Sequence, residues 1–185
     1  MKQHKSWKQI DRKTIHSTPH LKVHIDTVQL PGGEIIDDYS IIEKNDVVVA
    51  VTTDTEGNVL MLEEYRYAVD QTLFNLPAGT IVRGTEDLKK VALRELQEET
   101  GYTSDDISFV GTLFEYPTKD THSITIFRVR NAVKTYEVYH EPTEQIALKL
   151  MRPEEVKKLV FENKIVTSST LAELVLGFPE LFGKN

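Results

Sequence analysis

The 185-residue chain contains no cysteine. Disulfides, thiolate metal sites and cysteine nucleophiles are therefore excluded. Long apolar runs are missing too. The longest aliphatic stretch, residues 47–51, is far too short to span a bilayer. The basic N-terminal segment MKQHKSWKQIDRK has no apolar stretch behind it, so no signal peptide is expected and a cytoplasmic location is. Positive charge is also scarce. Lys and Arg number 22 against 29 Asp and Glu, a net charge of -7. Such a balance argues against tight binding along a nucleic acid backbone, which needs clustered Lys and Arg. Internal repeats, low-complexity tracts and convincing linkers are all absent. What remains, with 39% hydrophobic residues, is a globular chain long enough to bury a real core.

Strand-like alternation dominates the first half. Residues 21–29 and 34–43 read as a strand pair around Leu30-Pro31-Gly32-Gly33, and residues 46–53 and 58–65 as a second hairpin. A short strand at 72–76 leads into Pro77-Ala78-Gly79. Further strands are predicted at 107–115, 123–130 and 145–151. Pro153 suits the first position of a helix to about residue 163, and a last helix covers residues 169–176, ending at Gly177. The predicted architecture is α/β, a mixed sheet between helices, preceded by an N-terminal antiparallel strand pair. Phe109, Phe114 and Tyr116 are expected in the core, and His122 on a surface loop without a role.

The chemistry concentrates between Gly79 and Tyr102, in GTIVRGTEDLKKVALRELQEETGY. Residues 86–100 are strong helix formers without proline or glycine, and Gly101 stands ready as the stop. At 100° per residue Leu88, Val91 and Ala92 form an apolar stripe. One turn further, Glu95, Glu98 and Glu99 are expected to take its place, sharing a face at i, i+3 and i+4. Glu-rich helices commonly lie on solvated faces. Carboxylates in line with a core stripe are different: burying them unpaired is costly, and a divalent cation relieves the repulsion. Hard oxygen ligands suit Mg²⁺ or Mn²⁺.

This segment resembles the signature of the Nudix hydrolases, carried here by Gly79, Glu86, Arg94, Glu95, Leu96, Glu98, Glu99, Gly101 and Tyr102. One departure is plain: six residues rather than five separate Gly79 from Glu86, lengthening the loop around Arg83-Gly84-Thr85. The resemblance implies a Nudix-type α/β/α sandwich that hydrolyses the pyrophosphate bond of a nucleoside diphosphate substrate with divalent metal. It implies metal ligation by Glu95, Glu98, Glu99 and the carbonyl of Ala78. Arg94 is implied to hold the glutamates in place, and Glu86 to anchor the loop to the helix.

The N-terminal half is similar to the ADP-ribose pyrophosphatase branch, through the strands at 21–43, Tyr65-Arg66 and Leu76-Pro77-Ala78-Gly79. This implies domains at 1–44, a dimerisation element, and 45–185, the catalytic domain. Arg66 is the candidate phosphate or ribose contact, against the alternative of a strand-end arginine paired with Glu63 or Glu64; Ala78 and Gly79 are expected beside the substrate. Either Glu144 or Glu141 is the candidate general base. The branch often has glutamine where this chain has Glu64, glutamate at Asn75, and a Ser-Pro-Gly turn where Thr118-Lys119-Asp120 stands. Mg²⁺-dependent cleavage of ADP-ribose to AMP and ribose 5-phosphate by a homodimer is the leading expectation. The alternatives are a nucleoside triphosphate pyrophosphohydrolase and a non-catalytic ADP-ribose sensor.

Overall fold

A computed structural model describes residues 6–81, 84, 87–138 and 146–183. Its chain divides into two compact units: Met1–Asn45 with Phe114–Ser123, and Asp46–Leu113 with Ile124–Asn185.

The first unit is a three-stranded antiparallel sheet, β1 (Lys8–Ser17), β2 (Leu21–Gln29) and β3 (Ile35–Lys44), with β2 in the middle. Sequence alternation predicts β2 and β3 but not β1. Every residue of β1 is exposed, so no apolar face marks it. Register shifts between Gln9 and Asp11 and between Thr14 and His16 interrupt its period of two. On β2, His24, Asp26 and Val28 are buried on one face. Each buried polar group there is paired. Arg12 grips Asp26 with a two-pronged bond, Nε to Oδ1 and Nη2 to Oδ2, both 2.7 Å. His24 sits between Thr14 Oγ1 (3.0 Å) and Glu43 Oε2 (3.2 Å).

Segment Phe114–Ser123 joins this sheet through backbone bonds to Ile42 from Thr121 N–H (3.1 Å) and to Lys119 O (2.7 Å). Lys44 reaches Asp120 at 2.5 Å. His122, expected on the surface, is instead 5% exposed, with Nδ1 3.3 Å from Asp120 and Nε2 3.6 Å from Glu115. Phe114 and Tyr116, expected in the core, stand in solvent. Both lie in or beside a turn whose buried face is made by polar groups.

The second unit is a mixed sheet with helices on both faces. Strand β4 (Asp46–Asp54) is buried on both sides, and its residues alternate between two cores. Val49 and Val51 pack with Val156, Ile165, Leu174 and Phe178, from helices α2 (Pro153–Phe161) and α3 (Ser168–Gly177) and the segments after each. Val48 and Ala50 face the other way, toward Val91, Ala92 and Leu96 of α1 (Leu88–Thr100). Parallel pairing of β4 with β10 (Ser123–Lys134) and antiparallel pairing of β5 (Val59–Arg66) with β11 (Ile146–Met151) make the sheet mixed. Two short strands, β6 (Gln71–Asn75) and β7 (Ala78–Ile81), complete the centre, while β8 (Tyr102–Thr103) and β9 (Asp106–Phe114) pair with β10. Phe109 on β9 is exposed rather than buried, touching Phe127 edge-on at 6.0 Å.

The chain closes on a short helix α4 (Pro179–Phe182). Arg128 of β10, 7% exposed, stacks 3.8 Å from the Phe178 ring centroid. It also donates to the Gly177 carbonyl and pairs with Glu180 at 2.9 Å.

Removing charge from the two-pronged pair in the first unit has a defined pH signature. The hydrogen bond from Arg12 holds the Asp26 carboxyl below its ordinary pKa. A lowered folded-state value stabilises above the ordinary carboxylate range, and the contribution is lost as pH falls through the folded value. Asp26→Asn is expected to lower the melting temperature at neutral pH by roughly 5 °C. The gap to the wild type should shrink toward pH 3. A constant gap across a calorimetric pH series would show that the pair is not its source.

Candidate functional site

Strands β4 and β5 begin as a hairpin but share only the Thr53–Val59 pairing. They then part, and one broken strand fills the opening. Its first half, β6, pairs with β5 from Leu62–Asn75 to Arg66–Gln71. Its second half, β7, pairs with β4 from Val49–Ala78 to Asp46–Ile81. The switch falls at Leu76-Pro77, where proline has no N–H to continue a ladder. The Pro77 carbonyl accepts from Ala50 N–H at 2.9 Å, tying the break to the central strand. Sequence reading took β7 as loop, because a strand of four residues with a glycine inside carries little alternation.

Helix α1 follows. Asp87 caps it by accepting from Lys89 N–H at 3.0 Å, so the helix begins at Leu88, just inside the predicted span. Gly101 ends it in the left-handed region at φ 78°. The buried positions are Val91, Ala92, Leu96 and Thr100. The apolar stripe therefore does not give way to glutamates, as the sequence had suggested. It continues through Leu96 and Thr100, because the drift at 100° per residue carries it one position onward. Glu95 and Glu99 border the stripe, half-buried, and Glu98 points outward with 60% of its side chain exposed.

What draws two of these glutamates inward is the β7 backbone. A Cβ on Gly79 would lie 2.0 Å from Glu95 Cδ, so the carboxylate occupies the space a side chain would need. One residue earlier, Ala78 N–H donates to Glu99 Oε2 at 3.0 Å. Arg94 Nη2 donates to Glu95 Oε1 at 2.7 Å, and its Nε lies 3.9 Å from Glu98 Oε2. Ala78, Gly79, Arg94, Glu95 and Glu99 thus meet at one place, with Glu98 at the rim. A groove of about 290 Å³ lined by Asp87, Lys90, Val91 and Arg94 runs along the first half of the helix. Among the described residues no group of three or more His, Cys, Asp or Glu side chains stands close enough to hold a metal ion. The donors that do meet here are hard oxygens, from carboxylates pressed against bare backbone, the set that magnesium-type cations prefer. In the chemistry of their donors these residues suit a divalent ion, with Glu95 and Glu99 gathered at β7 and Glu98 standing apart at the rim.

Arg66, at the end of β5, is paired with Glu64 at 2.7 Å, the partner weighed for it in the sequence, and half of its side chain is exposed. Its guanidinium also reaches Asn75, which lies three residues before Ala78. Asn75, 8% exposed, stands out in the sequence only as a departure from the branch pattern, without a partner assigned to it. Glu86, Arg83 and Thr85, and the candidate bases Glu141 and Glu144, lie outside the described residues.

Comparison with known proteins places this geometry in context. The NUDIX domain model matches residues 43–169, and that of the nucleoside diphosphate sugar hydrolase N-terminal domain matches residues 7–42. An ADP-ribose pyrophosphatase of Bacillus subtilis is 27% identical over 165 residues, 88% of each chain. A methanol dehydrogenase activator of Bacillus methanolicus is 32% identical over 103 residues, 56% of this chain and 55% of that one. The crystal structure of an ADP compounds hydrolase superposes with a TM-score of 0.84, covering 99% of this chain and 98% of that one, at 18% identity; it shares the fold.

The crowding at Gly79 yields a test. Gly79→Ala is expected to push Glu95 aside while the rest of β7 stays paired. The diphosphatase activity expected from sequence should fall about 100-fold, a loss typical of a misplacement near 1 Å. The far-ultraviolet spectrum and melting temperature should barely move. Unchanged activity would mean that Glu95 has no place in the chemistry.

Proposed function

The chain belongs to the Nudix family, whose hydrolases are generally divalent-metal-dependent, and on that premise we propose that it cleaves ADP-ribose to AMP and ribose 5-phosphate. Glu95 and Glu99, held against the backbone of Ala78 and Gly79, are the observation that carries this reading. Similarity along 88% of an ADP-ribose pyrophosphatase supports the substrate.

Glu95, Glu98, Glu99 and the Ala78 carbonyl are the groups that would hold the metal, with Mg²⁺ the best candidate and Mn²⁺ an acceptable substitute. When bound, the metal neutralises the diphosphate and lowers the pKa of the attacking water. Arg94 positions Glu95 through a charge-assisted bond and does not touch substrate. Arg66 presents a guanidinium to the diphosphate oxygens, whose spacing it matches. Glu144 or Glu141 takes the proton from the attacking water as the P–O–P bridge breaks. One water is consumed and two phosphate monoesters leave.

The first unit is proposed as the contact between two copies of this chain. Trp7, Ile10, Ile15 and Ile35 are each about half exposed there, more apolar surface than one small sheet gains by showing to water. No helix among the described residues is long and apolar enough to cross a membrane. A cytoplasmic location remains the expectation from sequence.

Two experiments test this. Glu99→Gln keeps its shape but loses a charged ligand, and Mg²⁺-dependent release of AMP from ADP-ribose should drop by about three powers of ten or more. Near-normal turnover would remove Glu99 from the site. Binding of ADP-ribose by the wild type without any products would turn the reading into a sensor. Sedimentation equilibrium should give a dimer for the wild type and a shift toward monomer for Ile10→Glu with Ile15→Glu. A wild-type monomer at assay concentration would sink the dimer.

A further inference from the structure

We propose that Glu64 is the positioning residue for Arg66, fixing the guanidinium for a diphosphate; this rests on the reading above that Arg66 touches substrate. The geometry comes from the parting of the strands. Arg66 lies opposite Gln71 where the turn at Tyr67–Val69 links β5 to β6, and its side chain folds back along β5 to Glu64. It does so because two partners wait there. Glu64 Oε2 takes one N–H from Nη2 at 2.7 Å, and Glu64 is itself only 15% exposed along its side chain. Asn75 sits diagonally across on β6, nearly buried.

The Asn75 amide has two orientations. One lets its NH₂ donate to Glu64 Oε2 at 3.3 Å. The other lets its oxygen accept from Arg66 Nε at 3.3 Å while its NH₂ donates to the Phe74 carbonyl at 3.2 Å. The second satisfies two groups rather than one; it also sets the amide oxygen 3.3 Å from Glu64 Oε2, a repulsion that the Arg66 guanidinium lying against both oxygens offsets, so we adopt it. Carboxylate and amide oxygens then hold Nη2 and Nε along one edge of the plane. Half of the Arg66 side chain stays exposed, and we assign the opposite edge, with the Nη1 donors, to the ligand. Guanidinium–diphosphate recognition needs that edge held flat and still, and a free arginine loses much of its binding to rotamer freedom.

Two effects of Glu64 oppose each other. Its charge repels an anionic ligand, whereas its grip keeps the arginine in place. The first acts across solvent on a substrate that arrives with its cation, where screening is strong. The second acts at 2.7 Å on a partly shielded pair. Positioning wins, and removing the Glu64 charge should therefore weaken binding rather than improve it.

The neighbouring acid supplies a control. Glu63 alternates to the other face of β5 and pairs with Lys149 of β11 at 3.0 Å, away from Arg66. Steady-state kinetics on ADP-ribose with Mg²⁺ should be measured for Glu64→Gln, Glu63→Gln, Arg66→Lys and the double variant Glu64→Gln with Asn75→Asp. Glu64→Gln should raise KM about tenfold and change kcat by less than about twofold, since the interaction is made equally in ground and transition states. Glu63→Gln should leave KM as it is. Asn75→Asp should restore most of the loss in the double variant, because its carboxylate stands where the amide oxygen met Nε.

A fall in KM for Glu64→Gln would overturn the inference, as would an equal rise for Glu63→Gln or a double variant no better than the single. So would an unchanged KM for Glu64→Gln when Arg66→Lys raises it, and in that case the substrate role of Arg66 would stand. An unchanged KM for Arg66→Lys would instead overturn the role of Arg66 and take the inference with it. Should Glu64→Gln melt below the assay temperature, Glu64→Asp is the second variant: a shorter carboxylate should give an intermediate KM, and a wild-type KM would count against the idea.

Discussion

Gly79 has no side chain, and Glu95 lies where one would be. The site depends on that single steric fact. With a bare backbone at this point, the Glu95 carboxylate can lie against β7, while Ala92 and Leu96 on the same helix are almost wholly buried. The packing energy of the apolar side chains thus serves to press two acids against a strand. Those acids would drift into water if the helix stood farther away. The Ala78 amide and the Arg94 guanidinium then compensate part of the charge.

The same economy appears at three other buried charges among the described residues. Arg12 and Asp26, Lys44 and Asp120, and Arg128 and Glu180 each join a nearly buried member to a more exposed one. The exposed member retains hydration, so the pair avoids the full desolvation penalty of two ions in a dry interior. Glu64 and Arg66 follow this pattern, with the carboxylate sheltered and the arginine half in water. Where such a pair faces a ligand, its wet half is also the half able to make new bonds.

Much of this was legible in the sequence, and the exceptions have physical causes. Strand β2 occupies residues 21–29 as read, because one face is buried and the alternation is clean. The end of α1 follows from Gly101 as read, whereas its start is set by the Asp87 cap, which the expected span from residue 86 passed over. Long-range facts were not legible. The parting of β4 from β5 depends on a third segment wedging between them, and a hairpin reading has no term for that. The apolar stripe of α1 was drawn one turn too short, since Glu95 and Leu96 differ by one step around the helix. His122 was misjudged because its burial rests on Asp120 and Glu115 folding around it, whereas Phe114 and Tyr116 looked apolar enough to be inside. Within the site, glycine and glutamate positions could be read from spacing; the grouping of Glu64, Arg66 and Asn75 arises from cross-strand geometry that spacing does not express.

Arg128 carries a consequence for how the protein is made. It stands in the middle of β10, yet its stacking ring, carbonyl acceptor and carboxylate come from residues 177–180. During synthesis the strand leaves the ribosome roughly fifty residues before those partners, several seconds at ordinary elongation rates. Through that interval water satisfies the guanidinium, and docking the strand would strip that water with no protein partner in place. Early closure of the sheet over Arg128 would thus cost a desolvated charge, a cost that residues 177–180 remove.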